Sequence, residues 1–519
     1  MMQSSVMITS ELLQQVGLPA VLEATHCRTP QGSRLKNAAR VYGVHNRREL
    51  EQELEAVGNL TTLIRQKHPQ LVETTTQLAR LRELRGTFSR LEHGTVLDDT
   101  EFFELKGALA IFSRLTKVSA IIEAAGVSFK DTSKAAMMLD PAGKKNPAFH
   151  IYSDYSPTLD DIRARKRVLE KQISKSKGAE RKTLLTRRAM VIAEEDQEED
   201  RIRRELGSKL AESLPQMQHN AEACGLLDFR LAKAELAVRW NGCRPALVSE
   251  TQPAILTNIT HPLIASHLEK QGQEFTPISI EIRRGSTVLS GANMGGKSVA
   301  LKTVFLGLLM AQLGYFPVAE SLQTPIYDFF AFETSQDGDL HRGLSSFGLE
   351  AVKIRDHYRR SKTRNGLIIM DEPCRGTNPG EATAIVNALS KSYSISDSSF
   401  LIATHYPISP SEGIRFYQIR GIRPETLAQQ LPPLPEEPTV AEADKSKPSG
   451  GLSALAQPDL KQDLIRVRRI QKMMDYRLEE IDGPHAVPSG AIKIAELLGV
   501  DDELVREMKT AWQEEQWQN

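Results

Sequence analysis

The chain has few cysteines, no excess of charge of either sign and no long apolar run. Its four cysteines are scattered, without the C-x-x-C spacing of zinc sites or the regular spacing of a disulfide framework, so neither kind of site is predicted. A reducing, cytoplasmic compartment is therefore expected. Lys and Arg together number 66, as do Asp and Glu, so net charge gives no indication of a nucleic-acid partner.

Secretion and membrane signals are also missing. Residues 1–18 have neither a basic start nor a sustained apolar core, which argues against a signal peptide. The apolar run that begins at Val304 is broken by Gln312 and Gly314 and is too short to cross a bilayer. We therefore expect no membrane partner.

Long helices are predicted for the first half of the chain. After an N-terminal segment of residues 1–49, residues 50–250 are rich in Leu, Glu, Arg and Lys and poor in Gly and Pro. Within them, residues 158–213 look like a coiled helical hairpin that turns near Lys177 and Gly178. A chain of 519 residues should hold more than one domain, and this region is expected to be one of them.

The turn of this hairpin is strongly basic, and an acidic cluster, Glu194 to Asp200, follows it. One interpretation is a solvated coiled coil with its charges on the outer face. The other is a contact arm for DNA or for an acidic protein surface. The basic residues are Arg163, Arg165, Lys166, Arg167, Lys171, Lys175, Lys177, Arg181 and Lys182.

A phosphate-binding loop is predicted in the second half. The segment Gly291–Ser298 fits the pattern G-x-x-x-x-G-K-[ST], after a strand signal at residues 287–289 and before an apolar helix-like run at residues 299–313. Backbone N–H groups of such a loop point at phosphates, and the following helix N-terminus adds partial positive charge. Lys297 would pair with phosphate oxygens, and the Ser298 hydroxyl would complete a Mg²⁺ shell.

Two further strand ends carry polar side chains. Residues 367–370 read as a buried parallel strand that ends in Asp371 and Glu372, where open α/β sheets bind ligands. Asp371 would hold Mg²⁺ and Glu372 would orient or deprotonate the attacking water. Another buried strand, residues 399–403, leads to His405. This histidine could contact the γ-phosphate, or it could be a structural residue at a strand end.

The amino-acid sequences of these motifs resemble those of a known protein family. Residues 293–298, residues 371–377 and residues 403–406 together look like the MutS ATPases, relatives of the ABC ATPases. Residues 345–350 resemble the signature loop of that family. The resemblance implies an α/β P-loop domain of ABC type at residues 251–423, preceded by an all-α core and lever domain with the long hairpin.

Several site assignments follow from the resemblance alone. It implies ATP and Mg²⁺ as cofactors and two subunits, identical or different, that form head-to-tail ATP sites, with Ser345 completing the site of the partner. Asn293 would face the γ-phosphate. Phe275 would stack on adenine, although a core aromatic fits the same position. The nucleotide-binding residues are then Gly291, Asn293, Met294, Gly295, Gly296, Lys297, Ser298 and Phe275.

The chain departs from the repair members of the family. Those proteins carry mismatch-reading and connector domains and a DNA clamp between the lever arms, whereas here the short segment 1–49 precedes the helices and little more than residues 176–178 joins the arms. Glu381 stands where an aspartate is usual, which leaves the inter-subunit contact open. Cys374 beside the carboxylates suggests packing or, less simply, thiolate chemistry.

Other short sequence segments resemble a different branch of the same family. Residues 375–379, residues 416–421 and residues 476–479 with 494–499 are similar to the MutS-like ATPase of lysine 5,6-aminomutase reactivation. That resemblance implies a protein client, a cobalamin-dependent aminomutase, as the main hypothesis. The alternative is a DNA-binding MutS-family protein of repair or recombination that lacks the mismatch reader. A flexible Pro-rich insertion at residues 424–459 and a helical tail at residues 460–519 complete the predicted organisation.

Overall fold

The computed structural model describes residues 10–143, 148–291, 296–334, 346–422, 474–483, 492, 495–496 and 500–518. Two compact units make up the chain. One is helical and comprises residues 21–39 and 51–239, and the other is α/β and comprises residues 1–20, 40–50 and 240–519. The predicted N-terminal segment of residues 1–49 is therefore divided between the two units instead of forming one of its own.

Helices account for almost all regular structure up to residue 239. They are α1 (Ser10–Gln15), α2 (Leu18–Ala24), α3 (Pro30–Asn37), α4 (Arg47–Arg65), α5 (Gln70–Leu78), α6 (Arg85–Glu92), α7 (Asp99–Leu115), α8 (Ser119–Ala125), α9 (Ser133–Leu139), α10 (Pro157–Lys175), α11 (Gly178–Ala211) and α12 (Leu214–Arg239). Local sequence sets several of their starts. Asp98 and Glu101 form a capping box in which each side chain accepts a hydrogen bond from the other's backbone N–H.

The long hairpin consists of α10 and α11. Ser156 caps α10 through a hydrogen bond accepted from the Leu159 N–H, and Pro157 supplies the fixed φ favoured in a first turn. Only Ser176 and Lys177 separate the two helices, and Gly178 adopts a φ of +63°, which glycine permits without strain. These two helices occupy the residues in which the sequence predicts the arms.

The central part of helix α12 is largely buried within the helical unit. Its central residues include Leu227 and Leu231, but also Asp228 and Lys233, none of them more than 2% exposed. Such charges need partners, because an uncompensated buried charge costs several kcal/mol. Lys233 Nζ lies 2.9 Å from Glu53 Oε1, and the Asp228 carboxylate accepts hydrogen bonds from two backbone N–H groups of the α2–α3 connection.

The α/β unit contains two sheets. Its strands are β1 (Ala246–Leu247), β2 (Ala254–Ile259), β3 (Ile278–Ile282), β4 (Gly285–Ser290), β5 (Ser321–Thr324), β6 (Phe329–Thr334), β7 (Gly366–Asp371), β8 (Ser399–Ala403), β9 (Ile414–Ile422) and β10 (Met474–Ile481). The smaller sheet has the order β1-β5-β2-β3, and the larger one has the order β10-β9-β4-β8-β7-β6. In the larger sheet, all neighbours are parallel except β9 and β10.

Further helices lie between the strands of the α/β unit. Helix α13 (Pro262–Lys270) lies between β2 and β3 of the smaller sheet, whereas α14 (Gly296–Gln312), α15 (Ser346–Ser361) and α16 (Pro379–Ser394) follow β4, β6 and β7 of the larger sheet. Helix α17 (Asp502–Gln518) lies near the C-terminus. Strands β7 and β8 are buried along their whole length, as their continuous apolar sequences predict. A helical region followed by an α/β domain is thus the observed fold class.

One predicted element is wrong. Residues 460–519 were expected to be helical, but Met474–Ile481 form strand β10, paired antiparallel with β9. The Leu, Glu and Arg content of this segment favours a helix, and pairing with a sheet edge overrides that preference. The predicted Pro-rich insertion, residues 424–459, lies outside the described residues. In the part of the chain that the structure describes, no helix is both long and apolar enough to span a membrane.

Candidate functional site

Several of the predicted site residues lie at or just beyond the carboxyl ends of three neighbouring parallel strands. In the sheet register, Leu289 of β4 pairs with Ala403 of β8, and Ala403 pairs with Asp371 of β7. Beyond this row the chain continues from β4 to α14, from β7 to Glu372 and from β8 to His405. Crevices at the carboxyl ends of parallel strands are the usual ligand sites of open α/β sheets.

Lys297 lies in the first turn of α14 and is only 4% exposed. Its Nζ donates a hydrogen bond of 2.8 Å to the Gly291 carbonyl oxygen and lies 3.6 Å from Glu372 Oε1. Burial lowers the pKa of Lys297, while the neighbouring carboxylates of Glu372 and Asp371 act in the opposite direction. The site therefore holds a cation close to the helix N-terminus. A bound anion would interact there with both the Lys297 ammonium group and the backbone N–H groups at the start of α14.

Two glycines of the loop are required by close packing. Gly291 has a φ of +142°, and a Cβ there would lie 3.2 Å from Ile419 Cβ. A Cβ on Gly296 would lie 2.9 Å from Tyr476 Cδ1 and 3.0 Å from Ile419 Cδ1. Residues of β9 and β10 thus form a wall beside the start of α14. Sequence spacing gave no signal for this wall, because Tyr476 lies far along the chain from the loop.

Asp371 and Ser298 provide oxygen ligands suited to a magnesium ion. Asp371 is 6% exposed, its pKa is raised by burial, and the Ser298 side chain hydrogen bonds to its carboxylate. Asp371 Oδ1 is buried and has no hydrogen-bond partner among the described residues. Mg²⁺ is usually held by one or two carboxylates with further oxygens from phosphate and water, so this pair fits it. The described residues contain no cluster of three or more His, Cys, Asp or Glu that would form an all-protein metal cage.

Glu372 is held in a strained backbone conformation next to Lys297. Its φ is +49°, in the left-handed region that non-glycine residues rarely adopt. Its N–H donates a hydrogen bond of 2.9 Å to the Ala403 carbonyl oxygen, and Arg375 Nη1 lies 3.4 Å from Glu372 Oε2. Such strain persists only where the surroundings fix it, and it concentrates at functional sites.

Cys374 has the properties of a packing residue. It is fully buried, and burial raises the pKa of its thiol to about 11. Its backbone N–H donates a hydrogen bond of 2.8 Å to Glu350 Oε1. A thiol of this kind stays protonated near neutral pH and is a poor nucleophile, which favours packing over thiolate chemistry.

His405 follows β8 directly, and its ring lies against Tyr406 with the centroids 4.2 Å apart. Burial lowers the pKa of His405, and the Glu372 carboxylate acts in the opposite direction. Burial therefore favours the neutral form of the imidazole. Its Nδ1 is buried and has no hydrogen-bond partner in the described part of the chain.

The remaining predicted residues are placed differently. Phe275 is partly exposed in the connection between α13 and β3, so it is not a fully buried core aromatic. Glu381 accepts a hydrogen bond of 3.2 Å from the Thr377 hydroxyl at the start of α16. Four predicted site residues lie outside the described residues: Asn293, Met294, Gly295 and Ser345.

Comparisons with known proteins cover the region of this site. Residues 287–412 match the family description MutS domain V. The chain is 30% identical over 224 residues to "Endonuclease MutS2" of Thermomicrobium roseum, an alignment that covers 41% of this chain and 28% of the relative. It is 32% identical over 218 residues to "Endonuclease MutS2" of Geobacillus thermodenitrificans, covering 41% of this chain and 27% of the relative.

A third relative has a different name. The chain is 33% identical over 204 residues to "DNA mismatch repair protein MutS" of Treponema denticola, covering 37% of this chain and 22% of the relative. In these alignments the chain spans about a quarter of the length of its curated relatives. The resemblance to the MutS family is thus confirmed for the α/β region. The finer resemblance to the aminomutase-reactivating branch gains no support from these relatives.

Proposed function

We propose that this protein is a Mg²⁺-dependent ATPase of the MutS type that acts on DNA. The observation that carries the proposal is the row of strand ends that brings Lys297, Asp371 and Glu372 together. A cation beside a phosphate-loop sequence, a carboxylate with a free buried oxygen and a second carboxylate are the groups that phosphoryl transfer requires.

Each residue has a definite task in this proposal. Lys297 binds phosphate oxygens, and Asp371 and Ser298 hold the metal. When bound, Mg²⁺ neutralises charge that develops on the phosphates during hydrolysis. Glu372 orients the attacking water and accepts its proton, and the neutral His405 contacts the γ-phosphate through its ring N–H.

The dimeric arrangement rests on the resemblance to the MutS family. Two subunits, identical or different, would form head-to-tail ATP sites, and Ser345 of one subunit would complete the site of the other. Helix α15 begins at Ser346, so the sequence places Ser345 directly before a helix N-terminus. Such termini favour bound anions, and a phosphate of the partner's nucleotide is an anion of this kind.

The names of the relatives favour DNA as the client, and the hairpin offers a surface for it. Several cations near the base of the hairpin are paired with carboxylates: Arg163 lies within 3.0 Å of both Glu195 and Glu199, and Arg165 Nη2 lies 2.7 Å from Glu194 Oε2. Towards the turn, exposed cations form no ion pair with any described carboxylate. They are Lys171, Lys175, Lys177, Arg181 and Lys182.

These cations near the turn support the second interpretation of the basic hairpin, a contact arm. A phosphate-binding surface needs cations that are not already paired with carboxylates. The chain as a whole has no net charge, so the local excess at the turn is the feature that would attract DNA. The hypothesis of an aminomutase client has no comparable supporting observation.

The first test of the proposal is ATP hydrolysis and its dependence on Lys297. We expect Mg²⁺-dependent hydrolysis that chelation abolishes, and we expect Lys297→Ala to weaken ATP binding by at least tenfold, because it removes a buried charge-assisted contact worth about 1.5–3 kcal/mol. Binding is measured by equilibrium dialysis and turnover by phosphate release.

A matched control separates this effect from a general loss of charge. Lys391 is exposed on α16 of the same unit, and Lys391→Ala should leave both ATP binding and turnover unchanged. Wild-type protein that neither binds nor hydrolyses ATP with Mg²⁺ would contradict the proposed function.

A further inference from the structure

One face of helix α15 contacts β6 and the loop that follows β7. Residues at spacing i, i+3 and i+7 lie on the same side of a helix, and Glu350, Lys353 and His357 have this spacing. Ile354, between them, packs against the apolar core of the α/β unit. Glu350 and His357 are therefore partly buried on the side of α15 that faces the larger sheet, whereas Arg355, Asp356 and Arg359 are exposed.

Two of these residues fix the helix to β6. Lys353 Nζ lies 2.8 Å from Glu333 Oε2, and His357 Nε2 lies 2.7 Å from Glu333 Oε1. Glu333 stands near the end of β6, where it pairs in register with Met370, the residue before Asp371. The helix is thus anchored beside the strand that carries the two site carboxylates.

The third residue contacts the loop that follows those carboxylates. Glu350 Oε1 accepts a hydrogen bond of 2.8 Å from the Cys374 N–H, across 24 residues of sequence. The described residues contain five non-glycine residues with positive φ, and two of them, Glu372 and Cys374, lie in this loop. A conformation of this kind costs about 1–3 kcal/mol per residue and needs contacts that enforce it.

The backbone N–H of each of these two strained residues donates a hydrogen bond to an acceptor outside the loop. The N–H of Glu372 donates to the Ala403 carbonyl oxygen of β8, and the N–H of Cys374 donates to the Glu350 carboxylate of α15. The first contact is part of the sheet, so it is maintained by the fold. The second depends on a single side chain.

We propose that Glu350 is a positioning residue for hydrolysis, which holds the 372–374 turn so that the Glu372 carboxylate faces the attacking water. This inference rests on the proposed ATPase function. Glu350 does not touch the nucleotide in this account and acts only through the Cys374 N–H. Its loss should lower the rate of the chemical step and leave ATP binding, which depends on Lys297, unaltered.

Three variants of the full chain test the proposal. Glu350→Ala removes the acceptor and should lower kcat by about 10- to 100-fold, the cost of misplacing a catalytic group by a fraction of an ångström to one ångström. Glu350→Gln keeps an amide oxygen as the acceptor and should restore kcat to within about threefold of wild type, because a neutral acceptor retains most of the hydrogen bond. The matched control is Asp356→Ala, which removes an exposed carboxylate of the same helix that pairs with Arg355.

The measurements are kcat, the Kd for ATP and the thermal midpoint of each variant. A low kcat for Glu350→Ala at unchanged Kd, with rescue by glutamine and no effect at Asp356, supports the positioning role. An unchanged kcat for Glu350→Ala, or equal losses of kcat and ATP affinity that glutamine does not rescue, would overturn it. Absence of hydrolysis by the wild-type protein is a different result, which contradicts the proposed function and this inference with it.

Discussion

Replacement of Glu372 by glutamine is expected to leave ATP binding intact and to lower turnover by about 100- to 10,000-fold, the usual contribution of a positioned general base. Glutamine has the same shape but cannot accept a proton from water. The strained backbone should survive the change, because the hydrogen bond to Ala403 comes from the Glu372 N–H and not from the side chain. The carboxylate also neighbours Lys297 and Arg375, but Arg375 is 60% exposed, so losing that ion pair costs little.

The same variant should accumulate as a dimer with ATP. If two subunits close around nucleotide and separate after hydrolysis, blocking hydrolysis keeps them closed. Light scattering with ATP measures the mass, and equilibrium dialysis measures the affinity. Glu412→Gln, a change of an exposed carboxylate in the same unit, should behave like wild type. Normal hydrolysis by Glu372→Gln would show that another group activates the water.

Neutralising three cations at the turn of the hairpin should nearly abolish DNA binding. Replacement of Lys171, Lys175 and Lys182 by glutamine removes three candidate phosphate contacts. Each contact contributes about 0.9 to the slope of log K against log salt concentration, so the slope should fall by almost three and the affinity near 0.1 M salt by on the order of 100-fold. Fluorescence anisotropy with labelled duplex DNA over a salt series measures both quantities.

A control with the same change in charge isolates the contribution of position. Arg165, Arg201 and Lys209 lie on the same hairpin, and each of them pairs with a carboxylate. Their replacement by glutamine should change the affinity by a much smaller factor, because paired cations release few counterions from DNA. Equal losses in the two triple variants would mean that DNA responds to overall charge and would contradict a specific surface at the turn.

Continuous apolar runs and strand-end residues made much of the site predictable. Leu367 to Met370 could be recognised as a buried strand from composition alone, and the direction of parallel strands then placed Asp371 beside the phosphate loop. The placement of Lys297 followed from its position after the glycines of the loop. These inferences needed only local sequence and the rule that carboxyl ends of parallel strands share one edge.

Other features depend on contacts between distant segments. Strand β10 was missed because its residues favour a helix in isolation, and only pairing with β9 extends them. The hydrogen bond from the Cys374 N–H to Glu350 joins a helix to a loop, and no spacing in the sequence indicates it. The division of residues 1–49 between two units likewise follows from tertiary packing, not from composition.

One titration tests directly whether the protein is an ATPase directed to DNA. Steady-state ATP hydrolysis is measured at low salt with increasing duplex DNA, either fully paired or carrying one mismatch. We expect both duplexes to stimulate hydrolysis and this stimulation to fade as salt is added, because phosphate contacts release counterions. A rate that is indifferent to every DNA at every salt concentration would contradict it.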